Sequence, residues 1–238
     1  MKLLLICGPW SSGTSGVAGL LARLGAEGFG PFFMCNDHMR PNTYELVPFR
    51  NAMRPFLIEQ TLSLVPNSEQ KIESSLRSLR TRIENQEFGA YDIASGPPIF
   101  LKYPLSALII PQICNVFETK LIYVLRPFEA VEQTRLRRRW DPELGRKGAE
   151  VIYSAMFHAL IENEYPTMIL RYTELIESSI KIAQELVSFA ELRATAAEIQ
   201  AASAFIGPPN PTARDSIRYV GFGQAGVGQV ERAPPMPE

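Results

Sequence analysis

Cysteine is scarce in this chain, and the little there is does not pair: Cys7, Cys35 and Cys114 are odd in number and far apart. No disulfide framework follows from that spacing. The two histidines, His38 and His158, are equally remote from each other, so the sequence offers no zinc site and no metal is expected. Charge of one sign is lacking too. A net charge of -1 gives no global field for nucleic acid or for an anionic membrane surface. Long apolar runs are missing: no stretch approaches the roughly 20 residues of a membrane-spanning helix, and Leu3 to Cys7 is too short for a secretory leader. The expectation is a cytoplasmic globular protein without a nucleic-acid partner or a membrane span. Its 238 residues, 46% of them hydrophobic, are ample for one large core.

One more absence is local. The segment "LLLICGPWSSGTSGVAGLLARLG" has an apolar strand, Gly8, four residues, Gly13, and a helix carrying Val17, Leu20, Leu21 and Leu24 on one face. That is the frame of a phosphate-binding loop, yet Thr14 stands where G-x-x-x-x-G-K-[ST] requires lysine. Glycines let successive backbone N–H groups curl inward, and a helix N-terminus adds partial positive charge, so an anion can bind there without a cationic side chain. Ser11, Ser12, Thr14 and Ser15 add hydroxyls. The frame suits an anion less charged than ATP; a plain strand-loop-helix turn that binds nothing is the alternative.

Strands alternate with helices along the rest of the chain. "PIFLKYP", "KLIYVLRP" and "TMILRY" read as buried strands, and the apolar segment Leu105 to Phe117 separates the first two. A polar helical region covers Asn67 to Gln86, a turn-rich stretch runs from Gly28 to Asn42, and helices from about Glu174 to Phe205 close the fold. Such an order implies an α/β fold of three layers, a parallel sheet covered by helices on both faces. The domain is expected to span 1-206. Residues 207-238 are rich in Pro and Gly and are expected to wrap the surface or to be partly disordered.

Ligands of open parallel sheets bind beyond the carboxyl ends of the strands. The residues there are Pro9, Trp10, Ser11, Ser12, Gly13, Thr14 and Ser15 after the first strand, Lys102 and Tyr103 after "PIFL", Arg126 after "LIYVL", and Arg171 and Tyr172 after "TMIL". Pro127 is suited to a first helical turn, which puts Arg126 at a strand-helix junction, with Thr134 eight residues on, about two turns up the helix. An arginine fork with a helix hydroxyl suits a second phosphate.

"GPWSSGTSGVAGLLARLG" followed at a distance by "LIYVLRPFEAVEQT" resembles the sulfotransferases that use 3′-phosphoadenosine 5′-phosphosulfate (PAPS), in particular the bacterial type with an "SGTS" loop. "FLKYPLSALIIP" looks like that family's "KDP" segment and "ILRYTELI" like its "RYEDL" segment. The resemblance implies a P-loop-type fold and transfer of a sulfuryl group to a hydroxyl or amine of a small-molecule or glycan-like acceptor, with adenosine 3′,5′-bisphosphate (PAP) as product and no metal. Carried over, Trp10 to Ser15 bind the 5′-phosphosulfate, while Arg126 and Thr134 bind the 3′-phosphate. Lys102 is the candidate for the oxygen bridging sulfur and phosphorus. "NTYE" matches a "GYWE"-like motif, which makes Glu45 the candidate base and His38 the second. Two positions depart from the pattern: Ser11 stands where the loop often has arginine, and Tyr103 replaces the aspartate of "KDP".

A sulfuryl group carries one negative charge where a terminal phosphoryl carries two, so a loop without lysine is adequate for it. A P-loop small-molecule kinase and a non-catalytic nucleotide-binding protein are the alternatives on the same frame. "GFGQAG" at Gly221 to Gly226 follows no strand and opens no helix, so it is not a dinucleotide site. "GRKG" at Gly145 to Gly148 precedes the last strand and takes no role. The run Arg135, Arg137, Arg138, Arg139, Arg146 and Lys147 is either a solvated face or a surface for an anionic substrate, and His158 is expected on a helix near the core.

Overall fold

The computed structural model describes residues 1–34, 42–58, 60–92, 94 and 96–206. In chain order the elements are β1 (Lys2–Cys7), α1 (Thr14–Arg23), β2 (Phe32–Met34), β3 (Asn42–Leu46), α2 (Val47–Met53), β4 (Leu57–Ile58), β5 (Ser63–Leu64), α3 (Glu69–Glu84) and β6 (Ile99–Lys102). A 3-10 turn (Pro104–Ile109) leads into α4 (Ile110–Val116), then β7 (Glu118–Leu125), α5 (Phe128–Arg138), α6 (Arg146–Glu162), β8 (Thr167–Arg171), α7 (Tyr172–Glu177), α8 (Ser179–Ala190) and α9 (Ala196–Ser203). The expected tail 207-238, and with it "GFGQAG", lies outside the described residues, as do His38 and Cys35.

Four strands form the central sheet in the order β6-β1-β7-β8, every pair parallel. Parallel strands buried on both faces read as continuous apolar runs, and β1 does so because its two sets of side chains enter different cores. Leu3, Leu5 and Cys7 join Leu101, Leu121 and Tyr123 under α3, α4 and α6. Leu4 and Ile6 join Phe100, Ile122, Val124 and Leu170 under α1, α8 and α9. The three layers expected from the sequence are therefore present.

The helical stretch over Asn67 to Gln86 is less solvated than its composition implies, because Ile72, Leu76, Leu79 and Ile83 form one buried stripe on α3. His158 departs from its expected place. It lies on α6, but the core-facing residues there are Ala149, Ile152, Tyr153, Met156 and Ala159, and the histidine is exposed. The turn-rich stretch holds β2, paired antiparallel with β3.

From β1 the chain crosses to β6 on one side, then returns past β1 to β7 and β8 on the other. The carboxyl ends of β1 and β7 thus flank the point where the strand order reverses, the place where open α/β sheets bind ligands. Leu5 is fully buried in the middle strand. Leu5→Ala should cost about 2 to 5 kcal/mol, seen in urea titrations as a lower midpoint at unchanged slope.

Candidate functional site

The loop between β1 and α1 is a closed turn. The Ser12 N–H donates to the Pro9 carbonyl at 3.1 Å, and the Gly13 carbonyl accepts from the N–H groups of Gly16 (2.9 Å) and Val17 (3.1 Å). Gly13 has φ 101 and Ser11 φ 62, both in the left-handed region. Gly8 must lack a side chain, since a Cβ there would lie 2.6 Å from Ser12 Oγ and 2.7 Å from the Val124 carbonyl. A Cβ on Gly13 would come within 2.7 Å of the Tyr172 ring, so this glycine makes room for an aromatic side chain. Trp10 is buried, and a Cβ on Gly148 would lie 3.1 Å from its ring, so the loop abuts the start of α6 at "GRKG".

The loop hydroxyls divide into two kinds. Ser15 Oγ donates to the Thr43 carbonyl at 3.2 Å, tying the loop helix to β3. Ser11 Oγ and Ser12 Oγ are buried without a hydrogen-bond partner among the described residues. An unsatisfied buried polar group costs about 1 to 3 kcal/mol, so two side by side mark a place suited to an oxyanion.

Arg126 follows β7 and crosses to this loop. Its Nη1 donates to the Ser11 carbonyl at 2.5 Å, its guanidinium carbon lies 4.3 Å from the centre of the Tyr172 ring, and its Nε is buried without a partner. Its backbone is held from the other side. The Arg126 N–H donates to Tyr153 Oη at 2.7 Å, and the Tyr153 hydroxyl donates to the Arg126 carbonyl at 2.8 Å. No carboxylate pairs with Arg126 among the described residues. Burial pulls its pKa below the ordinary arginine value, with Tyr172 opposing that fall and the nearby Arg137 adding to it; a guanidinium stays charged regardless. Pro127 is the residue before α5 rather than its first. Thr134 is buried on α5, and its hydroxyl donates to the Ala130 carbonyl at 2.9 Å, which leaves its lone pairs but not its proton available.

Lys102 ends β6 opposite Ile6 of β1. Its Nζ lies 2.7 Å from Glu45 Oε1, and Arg50 Nη1 lies 2.8 Å from Glu45 Oε2. The second contact is an ion pair without hydrogen-bond alignment. All three side chains are withdrawn from water, with exposures of 5% for Lys102, 2% for Glu45 and 10% for Arg50. Among the described residues, two cations thus face one carboxylate at the carboxyl end of β6.

The remaining sequence candidates sort as follows. Arg171 is exposed, and its N–H donates to the Glu174 carboxylate at the start of α7. Tyr103, where the family pattern has aspartate, is buried with its ring edge-on to Phe49. Much of the basic run is neutralised by acids: Arg135 pairs with Glu132, Arg146 with Glu150, and Lys147 with Glu143. Reading the sequence did not single out Arg50 or Tyr153, and it gave Tyr172 no role beyond its place at a strand end. A signal for Arg50 exists, since Pro48 marks a helix start that turns the next residues back toward Glu45. Tyr153 sits far along α6 and carries no such mark.

Two stability changes test this geometry. Gly13→Ala should cost more than Gly25→Ala, because both glycines have positive φ but only the first meets another side chain; each carries the left-handed penalty of about 1 to 2 kcal/mol, and chemical denaturation of the two variants gives the difference. Glu45→Ala removes the carboxylate that two buried cations face and should cost about 3 to 5 kcal/mol, read from the same titration.

No family model matches the chain, and no curated protein matches it. Solved structures do. A sulfotransferase from Mycobacterium tuberculosis superposes with TM-score 0.57 at 12% identity, over 85% of this chain and 70% of that one. The sulfotransferase domain of the Synechococcus olefin synthase gives 0.53 at 17% identity, over 83% and 76%. The sulfotransferase domain of the curacin biosynthetic pathway gives 0.50 at 14%, over 83% and 76%. At these identities the likeness is one of fold: the chain has the P-loop-type α/β fold found in these sulfotransferases.

Proposed function

We propose that this protein is a sulfotransferase that moves a sulfuryl group from PAPS to a hydroxyl or amine of a small-molecule or glycan-like acceptor. The observation that carries the reading is Arg126: a largely buried guanidinium with no carboxylate partner among the described residues, bound to the carbonyl of Ser11 beside two unpartnered loop hydroxyls. These groups fit an anionic donor held at two points. The loop from Trp10 to Ser15 would hold the 5′-phosphosulfate through its N–H groups and the hydroxyls of Ser11 and Ser12, and Arg126, with Thr134 on the neighbouring helix, the 3′-phosphate. Lys102 would place positive charge at the oxygen that bridges sulfur and phosphorus. The donor supplies an activated sulfuryl group, and the chain supplies orientation and positive potential where charge develops.

The kinase reading is weaker on two counts. Thr14 replaces the lysine, and the residues that follow β6, β7 and β8, which are Tyr103, Arg126 and Tyr172, include no aspartate to hold magnesium.

The test is calorimetry with PAP and ADP, without magnesium. PAP should bind more tightly than ADP. Arg126→Ala should weaken PAP roughly tenfold to a hundredfold, as expected for a lost charge-assisted contact of about 1.5 to 3 kcal/mol, and leave ADP nearly unchanged. Arg126→Lys should recover only part, because a point charge lacks the fork. Equal losses for both ligands would reduce Arg126 to a structural element and remove the main support for the assignment.

A further inference from the structure

We propose that Arg50 is a positioning residue of the transfer site: it fixes Glu45, and Glu45 fixes Lys102, so that the carboxylate anchors the lysine instead of accepting the proton of the acceptor. This rests on the sulfotransferase reading above. Each oxygen of Glu45 already faces a cation, Oε1 that of Lys102 at 2.7 Å and Oε2 that of Arg50 at 2.8 Å, and its side chain is 2% exposed. A base gives up its negative charge as the proton arrives, and the charge of this carboxylate is what both buried cations face, so taking up a proton would weaken both ion pairs at once.

Local structure fixes the arrangement. Thr43, Glu45 and Leu46 are the buried residues of β3, and α2 begins at once with Val47 and Pro48. The buried Phe49 and Met53 anchor that helix. Arg50 is thereby returned over the strand it follows. Its guanidinium carbon stacks 4.0 Å from the centre of the Phe33 ring and 5.4 Å from that of Tyr103, which holds the plane of the fork in place. Tyr103 immediately follows Lys102, so one arginine braces both the carboxylate and the strand end that carries the lysine. An ammonium has three N–H groups, and Glu45 accepts from one of them. The others remain for an oxyanion. The anchor is also tied to the loop, since the Thr43 carbonyl accepts from Ser15 Oγ and Thr43 Oγ1 accepts from the Glu45 N–H at 3.3 Å.

Two cations do not bond each other, so cooperation between Arg50 and Lys102 passes through Glu45 or through the Tyr103 ring next to the lysine, and the proposal assigns it to Glu45. A double-mutant cycle on PAP affinity tests this directly. Arg50→Met should weaken PAP at least fivefold in the wild-type background and less than twofold in a Lys102→Met background. Equal losses in the two backgrounds would make Arg50 a distant charge or a plain structural residue and overturn the proposal. In a Glu45→Gln background the coupling should vanish; persistence would overturn Glu45 as the link. Circular dichroism checks folding. Where the double variant does not fold, Arg50→Lys and Lys102→Arg complete the cycle, with the same non-additivity expected and equal losses again overturning it. A wild type that fails to bind PAP rejects the sulfotransferase reading and this proposal together, whereas a wild type that binds PAP with additive losses rejects this proposal alone.

Discussion

The carboxyl edge of the sheet depends on a cation that has no counter-ion among the described residues. Arg126 joins the end of β7 to the loop after β1, yet its partners are a carbonyl oxygen and an aromatic ring. A carboxylate would orient the guanidinium as well, but it would cancel the field. A stacked ring contributes only about 0.5 to 2 kcal/mol and leaves the charge intact. The difference is what makes this junction suited to an anion: partial burial has a cost in desolvation, and nothing within the described residues neutralises the charge.

The same logic answers the missing lysine at position 14. Positive charge is supplied from the neighbouring strands rather than from the loop itself, by Arg126 on one side of β1 and by Lys102 on the other. The two are held differently. Arg126 is kept by neutral groups, whereas Lys102 is kept by a carboxylate that Arg50 faces as well. Arg126 reaches the carbonyl of Ser11, and the hydroxyls of Ser11 and Ser12 have no partner among the described residues. A single loop lysine would concentrate that charge at one point, while two fixed cations on opposite sides favour an extended anion.

Much of the framework was legible in the sequence for a simple reason. Strands covered on both faces read as apolar runs, and residues 3–7 of β1, 99–101 of β6 and 121–125 of β7 announce themselves that way. The loop was legible because two glycines at fixed spacing carry a steric demand, although the demand at Gly13 is for the ring of Tyr172 rather than for an anion. Lys102, Arg126 and Glu45 were singled out as candidates by their places at strand ends and by motif. What brings them into play was not. Arg50 and Tyr153 reach the site across helices, through contacts that have no period, and a histidine on α6 read as core is exposed because the core stripe runs through Met156 and Ala159 and misses the positions between them. Sequence spacing reports which face a residue is on; it does not report what lies across from that face.

The supporting residues also explain how such a site tolerates its own strain. Tyr153 satisfies both backbone groups of Arg126 at the turn out of β7, where an N–H and a carbonyl would otherwise be stranded at the end of the ladder. Tyr172 fills the space left by Gly13 and lies under the guanidinium at once. Backbone, side chain and loop are therefore fixed by three separate elements, α6, α7 and α1, each seated in one of the two cores. Among the described residues the hydroxyls of Ser11 and Ser12 and the Nε of Arg126 have no hydrogen-bond partner, which disfavours the folded state. The apolar packing on either side of β1 outweighs that cost, so polar groups suited to an anion can be held in place before any anion arrives.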